Sequence, residues 1–317
     1  MAGGQERILR RRIKSVQATK KITRAMELIA ASRIVKAQAR VHAAQPYADG
    51  ITEVVRNLQS SAGAGSSALL TPRAEMHKVA DIVIAADRGL CGGYNTTVIR
   101  AGEGDMRAQR EAGLENALVT VGRKVESFFR FRDHTIDAAF GGFSDNPTYE
   151  NAREVASAVV GRFEAGEIDK VNLVYTRFIS AGRQEVVVEP LLPLEPVEPL
   201  EAGAAATPGE PAADYEYEPS TEAILATLLP RYTESRIFAA LLNAAASEHA
   251  ARQRAMKAAT DNAEDLILTY TRRMNRARQD SITTEIMEIV GGAEALSAGD
   301  SAAHVDPESG EYYEKTA

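Results

Sequence analysis

Cysteine is nearly missing from these 317 residues, and Cys91 is the only one. A lone thiol excludes an internal disulfide and suits a reducing compartment. Five scattered histidines supply no metal-ligand spacing, so neither a structural zinc site nor a cofactor is expected. Long apolar runs are missing too: nowhere do about 18 apolar residues follow one another, which argues against a membrane-spanning helix. The amino-terminal MAGGQERILRRR has charge but lacks the apolar core of a secretory signal. Proline and glycine, present elsewhere, are absent from Ser235 to Val290.

That last absence predicts the dominant element. A helix from about Arg231 to Val290 spans roughly 90 Å at 1.5 Å per residue, longer than a small domain is wide. Met256, Ala259, Ala263, Leu266, Tyr270, Met274 and Ala277 recur at steps of three and four, the seam of a coiled coil. Arg252, Arg254, Lys257, Arg272, Arg273, Arg276 and Arg278 form the expected solvated outer face. Because much of the seam is alanine, which buries little area, such a rod needs a partner.

A second long helix is expected over 5–58, with Ile8, Ile22, Met26, Ile29 and Val35 as its apolar stripe and Ala25, Ala30 and Ala31 around it. Pro46 should kink or interrupt it. Residues 60–72, SSAGAGSSALLTP, read as a flexible break. Two such helices at opposite ends of one chain suggest an antiparallel pair.

Between them the period changes. VADIVIAA (79–86), ALVTV (117–121), TIDAAF (135–140), KVNLVYTRF (170–178) and Gln184–Pro190 read as strands. Helices are expected over 96–111, after Gly122, and over 150–164. The alternation predicts a mainly parallel, Rossmann-like α/β layer with an antiparallel strand at one edge. The fold class is therefore α+β or α/β, with two long terminal helices in an antiparallel coiled coil around a central α/β domain. The expected boundaries are 1–60 and 223–296 for the helices of the rod and 77–190 for the central domain. An acidic, Pro-rich connector over 187–222 and a disordered acidic tail over 297–317 complete the chain.

Charge is segregated along these parts. Residues 1–60 hold twelve Lys/Arg against four Asp/Glu, while 187–222 hold nine acids, seven prolines and no Lys or Arg. Such asymmetry assigns different partners to different parts. The basic amino-terminal helix lacks interleaved aromatics for base stacking, so no nucleic-acid partner is expected.

The turn DRGLCGGYN (87–95) follows a strand, where glycines can cradle a phosphate. Its spacing matches neither G-x-G-x-x-G nor G-x-x-x-x-G-K-[ST], and a structural turn with Asp87 paired to Arg88 is the competing reading. Cys91 reads as a buried bystander thiol, and Tyr312–Tyr313 as part of a solvated tail. No paired carboxylates, nucleophile triad or metal spacing stands out. Three readings of the residues remain: a machine part built on a rod, a coiled-coil adaptor with no rotary role, and an α/β nucleotide-binding enzyme with helical arms.

Several segments, in collinear order, resemble the gamma-subunit family of the rotary proton-translocating ATP synthase. They are IKSVQATKKITRAMELIAASR (13–33), PYAD (46–49), ADRGLCGGYN (86–95), LLPRYTESRIFAALLNAAASEHAARQRAMKAATDNAEDLI (228–267) and NRARQDSITTEIMEIVGGAEAL (275–296). The resemblance implies a central rotating shaft, without a catalytic site of its own, that couples the turning membrane ring to sequential change in a catalytic alpha/beta hexamer. The implied partners are alpha and beta subunits (one copy to three of each), the epsilon subunit and the membrane ring of c subunits. The implied location is peripheral, on the cytoplasmic side of the cell membrane. Carried over position by position, Arg278 and Gln279 face an acidic beta-subunit loop with Thr283 one turn on. Arg24 and Met26 lie near a beta subunit, and Arg252 is a basic contact on the rod. Asp280 departs from the small residue usual there, placing an acid beside Arg278. Plastid members of the family carry a cysteine pair for redox regulation; Cys91 is the only cysteine here, so that control is not implied.

Overall fold

The computed structural model describes residues 2–62, 68–194, 218 and 220–301. In chain order the elements are α1 (Ala2–Ala62), β1 (Lys78–Ile84), α2 (Tyr94–Glu111), β2 (Glu115–Val121), α3 (Arg123–Phe131), β3 (Ala138–Phe140), α4 (Tyr149–Glu164), β4 (Lys170–Phe178), β5 (Gln184–Leu192) and α5 (Thr221–Ser301). Contacts divide the chain into two units, Met1–Thr23 with Ala259–Ala317, and Arg24–Ala258.

In the first unit the two helix segments run antiparallel. Lys20 meets Glu264 at 2.6 Å, and Thr23 shares a 2.8 Å hydrogen bond with Thr260, so the partner number falls as the α1 number rises. The less exposed positions on α1 include Leu9, Ile13, Val16, Lys20 and Thr23, and on α5 they include Thr260, Ala263, Ile267, Tyr270, Met274, Ala277 and Ser281. Both sets step by three and four, as a coiled-coil seam requires.

The expected stripe on α1 is out of phase. Ile8 and Ile22 are more than half exposed, as are Ile29 and Val35 further along, whereas Leu9, Thr23, Ala30 and Ile34 turn inward. On α5 Leu266 is likewise 44% exposed, and the neighbouring Ile267 takes the seam. One residue is about 100° of rotation around a helix. Around Thr23 and Thr260 the seam is built from small and polar side chains, while Ile8, Ile22 and Leu266 point away from it.

In the second unit the strands form one sheet in the order β3-β2-β1-β4-β5. Strand β1 pairs parallel with β2 and β4, β2 pairs parallel with β3, and β5 is antiparallel to β4 at the edge. Parallel strands need both faces covered, which explains the near-continuous apolar run of β1. Val83 and Ala85 pack with Val98, Met106, Leu118 and Phe129 under α2 and α3. The alternate residues, Ala80, Ile82 and Ile84, join Val155, Val159 and Phe163 of α4, Val55 and Leu58 of α1, and Leu229, Ile237 and Leu241 of α5. A methyl group on Gly102 would stand 2.9 Å from Val83 Cγ2, so this glycine lets α2 approach the sheet. Thr148 opens α4 with a reciprocal cap to Asn151.

Several expectations need correction. Pro46 lies inside a continuous helix, removing one backbone donor without ending it. Residues 187–192, assigned to the connector, belong to β5. Leu69 and Leu70, in the expected flexible break, are buried, and Leu69 O accepts from Leu194 N at 2.8 Å. Residues 63–67 of the break, 195–217 of the connector and 302–317 of the tail lie outside the described residues, whereas 297–301 continue α5.

Candidate functional site

In an open α/β sheet, ligands bind outside the carboxyl ends of the strands where the strand order reverses. Here that point lies between β1 and β4, and the glycine-rich turn 86–95 sits above it. Helix α5 packs into the same place. Tyr94 Oη donates to Ala244 O (3.1 Å), Ser247 Oγ to Thr176 O (3.1 Å) and Phe178 N to Asn243 Oδ1 (3.2 Å). A Cβ on Gly92 would touch Ala255 Cβ at 3.6 Å. The glycines therefore bring the turn against a helix. A cavity of about 480 Å³ remains beside Cys91, Thr97, Thr176 and Arg254. Cys91 is buried, and burial pushes its thiol above the ordinary range, which keeps it unreactive.

Asp87 does not pair with Arg88. Its carboxylate accepts the backbone N–H groups of Arg123 (3.1 Å), Gly142 (2.9 Å) and Ser144 (3.0 Å). Burial works to raise its pKa, but these donors reverse the effect and hold it below the usual carboxylate range. Asp87 thereby shapes the loop 141–147, and that loop reaches both long helices. Asp145 forms 2.5 Å ion pairs with Arg33 on α1 and with Arg88 in the turn. Its carbonyl meets His249 Nε2 of α5 at 3.2 Å, and Ser144 Oγ donates to Glu248 Oε2 at 3.1 Å. Arg40 of α1 donates to Asn146 Oδ1 and Pro147 O.

Glu248 is almost completely buried, and burial raises its pKa against the opposing pull of Arg252. Arg252 Nη1 lies 2.7 Å from Glu248 Oε1, yet that oxygen has no hydrogen-bond partner among the described residues. The contact is an ion pair at short range whose alignment is poor. Arg252 also donates to Gly89 O at 3.3 Å. His249 is buried as well, which lowers its pKa and favours the neutral ring.

The six residues carried over from the family resemblance fall into two groups. Arg278, Gln279 and Thr283 are exposed on α5, where the Thr283 hydroxyl donates to Gln279 O at 3.0 Å. They share one stretch of free surface, with Asp280 beside them. Arg24 is exposed on α1 and its Nη1 donates to both carboxylate oxygens of Glu27 at 2.8 and 2.9 Å, while Met26 is half-buried. Arg252 is the exception. It is only 7% exposed and belongs to the interior, contrary to its place on the expected outer face. Charge and helical spacing put it on that face, because the acid that receives it, Glu248, lies one turn back on the same helix.

Loop 141–147 escaped sequence reasoning. Its contacts join residues more than a hundred positions apart, such as Arg33 and Asp145, and GGFSDNPT reads as an ordinary helix-entry loop.

Residues 5–296 match the family model described as ATP synthase. The chain is 52% identical over 301 residues to the ATP synthase gamma chain of Parafrankia sp. (strain EAN1pec), covering 93% of this chain and 99% of that one. The ATP synthase gamma chain of Moorella thermoacetica is 49% identical over 292 residues, covering 92% and 98%. Among solved structures, a chain of the Euglena gracilis mitochondrial ATP synthase superposes with a TM-score of 0.61 at 17% identity, covering 98% of this chain and 100% of that one. A chain of the Tetrahymena thermophila central stalk and c-ring gives 0.56 at 24% identity, covering 75% and 99%. At these identities the two structures speak to the fold.

Proposed function

The chain belongs to the ATP synthase gamma-chain family, and we propose that it works as the central rotating shaft of a proton-translocating ATP synthase. One observation carries this reading beyond family membership. Ile282, Ile286, Met287, Ile289 and Val290 are all about half or more exposed on α5, and Ile289 reaches 71%. A rod that spends its life in water has no use for so much open apolar surface, whereas one seated in a sleeve of subunits does.

The sleeve is the hexamer of alpha and beta subunits, at one copy of this chain to three of each. The helices over 1–60 and 223–296 turn within it, and the α/β domain over 77–190 meets the epsilon subunit and the ring of c subunits. The chain binds no nucleotide of its own and has no catalytic site; ATP is made on the hexamer. An asymmetric rod presents a different face to each beta subunit, so each is held at a different nucleotide affinity as the shaft turns. Arg278, Gln279 and Thr283 make the polar catch on a beta-subunit loop, since an arginine fork suits a carboxylate. Arg24 and Met26 lie near a beta subunit on the other helix. Arg252, engaged internally, supports the turn beneath it. Among the described residues no helix is long and apolar enough to cross a membrane, and the chain sits peripherally on the cytoplasmic side, held by its partners.

The test is co-purification with alpha and beta subunits, followed by ATPase assay with and without the chain. Entry at one copy per three beta subunits, with activity that depends on it, supports the shaft. Indifference of the hexamer would leave a coiled-coil adaptor.

A further inference from the structure

We propose that loop 141–147 is the joint that passes torque between the two long helices and the α/β layer, with Asp145 as its positioning residue. The inference rests on the shaft reading. A shaft under load must resist sliding of its helices over the sheet they pack against. Apolar burial is strong but non-directional, so it opposes separation better than sliding. Hydrogen bonds and ion pairs are directional, and they resist displacement along their own lines.

Within the Arg24–Ala258 unit those bonds converge on this loop. Asp145 grips α1 through Arg33 and the β1–α2 turn through Arg88, each at 2.5 Å. The same residue's carbonyl, and the neighbouring Ser144 hydroxyl, grip α5 through His249 and Glu248. Arg40 adds a second hold on α1 through Asn146 and Pro147. The loop cannot drift to relieve strain, because the Asp87 carboxylate fixes the N–H groups of Gly142 and Ser144. A Cβ on Gly141 would come within 3.0 Å of that carboxylate, so the fit there is already tight.

Charge gives Asp145 its particular part. Among the described residues it is the one carboxylate that Arg33 and Arg88 both contact, so it also offsets the repulsion between two guanidiniums. Arg33 and Arg88 bring their opposition to light once it is neutralised. Asp145→Asn keeps the shape and turns the joint from mutually attractive to mutually repulsive.

The complete complex, reconstituted in vesicles, is the object to test. ATP hydrolysis and ATP-driven proton uptake are measured in the same vesicles against a rising opposing gradient. Asp145→Asn is expected to hydrolyse ATP within about twofold of the unaltered complex, yet to take up at least twofold fewer protons per ATP, the deficit growing with the gradient. Arg33→Gln, which releases only the α1 side at an exposed residue, should show a smaller deficit in the same direction. Asp145→Glu, which keeps the charge, should recover most of the ratio. If protons per ATP match the unaltered complex at every gradient, or both activities fall together at constant ratio, the joint is merely structural and the proposal is overturned. Should Asp145→Asn fail to assemble, Arg33→Gln decides alone by the same criterion. An unaltered chain that fails to enter the hexamer removes the shaft reading first, and this inference with it.

Discussion

Thr23 and Thr260 share a buried hydrogen bond of 2.8 Å between α1 and α5, although 237 positions separate them. Thr23 Oγ1 also lies 3.0 Å from Lys20 O as a donor, which leaves its lone pairs to receive Thr260. Both hydroxyls occupy seam positions where a coiled coil usually places apolar side chains. A polar seam pair sets register at some expense of stability. Thr23→Val and Thr260→Val should each cost about 1 kcal/mol, and the double substitution less than their sum, because it removes both polar groups together. Hydrogen exchange at the α1 amides in the assembled complex reads this directly. Strict additivity would show that the two hydroxyls do not act as a pair.

Asp81 lies fully buried in β1, where Gln109 Nε2 donates to it at 3.1 Å and Asn172 Nδ2 at 3.2 Å, and both amides also reach Asp105. Burial first, and then the neighbouring Asp105 charge, raise its pKa to about 7. The folded state thus holds this proton more tightly than the unfolded chain, whose aspartates titrate near 4. The contribution to stability is full below about pH 4 and is lost as pH rises to about 7. Asp81→Asn should therefore flatten the decline in urea midpoint between pH 5 and 8. An unchanged slope would place the proton elsewhere.

Arg252 is an internal charge, and its removal should be costly. Arg252→Met strands Glu248 in the interior, a change worth about 3–5 kcal/mol. Combining it with Glu248→Gln should restore much of the loss, as read by thermal melting of the complex. If instead Arg252→Met leaves stability untouched and alters only ATPase activity, the residue acts at a subunit contact.

Arg278 and Gln279 are expected to behave in the opposite way. They are exposed on α5, and no ion pair engages Arg278 among the described residues. Alanine at either should leave folding and assembly intact while changing ATPase activity about tenfold or more, since a charge-assisted hydrogen bond is worth about 1.5–3 kcal/mol. Asp280→Ala should act in the reverse direction by removing an acid that competes for Arg278. Equal activity in all three variants would remove the polar catch.

The sheet was legible because its strands are apolar runs such as VADIVIAA, and their alternation with helices leaves few topologies. The antiparallel edge could be read from the turn before Gln184. The two long helices showed through the scarcity of proline and glycine, and the phase of α5 was legible at Met256, Ala259, Ala263, Tyr270, Met274 and Ala277, but that of α1 was not. At Thr23, Ala30 and Thr260 the seam uses small or polar residues, and the larger Ile8, Ile22 and Leu266 face outward. A reading that follows the biggest side chains then lands one residue away. Pro46 misled for a related reason, since packing can hold a helix together across one missing donor. The loop at 141–147 was invisible because its meaning lies in Arg33, Arg88, Glu248 and His249, which only the fold brings to it. The exposed site residues came from the family resemblance, and helix periodicity alone could not have separated them from any other solvated face.

The most direct measurement of the central claim is rotation itself. With the alpha/beta hexamer fixed to a surface and Cys91 replaced by alanine, a bead is attached through a cysteine at Phe131, which is 84% exposed on α3. On adding ATP, the account predicts unidirectional turning with one pause for each beta subunit. A bead that stays still while the same complexes hydrolyse ATP would contradict it.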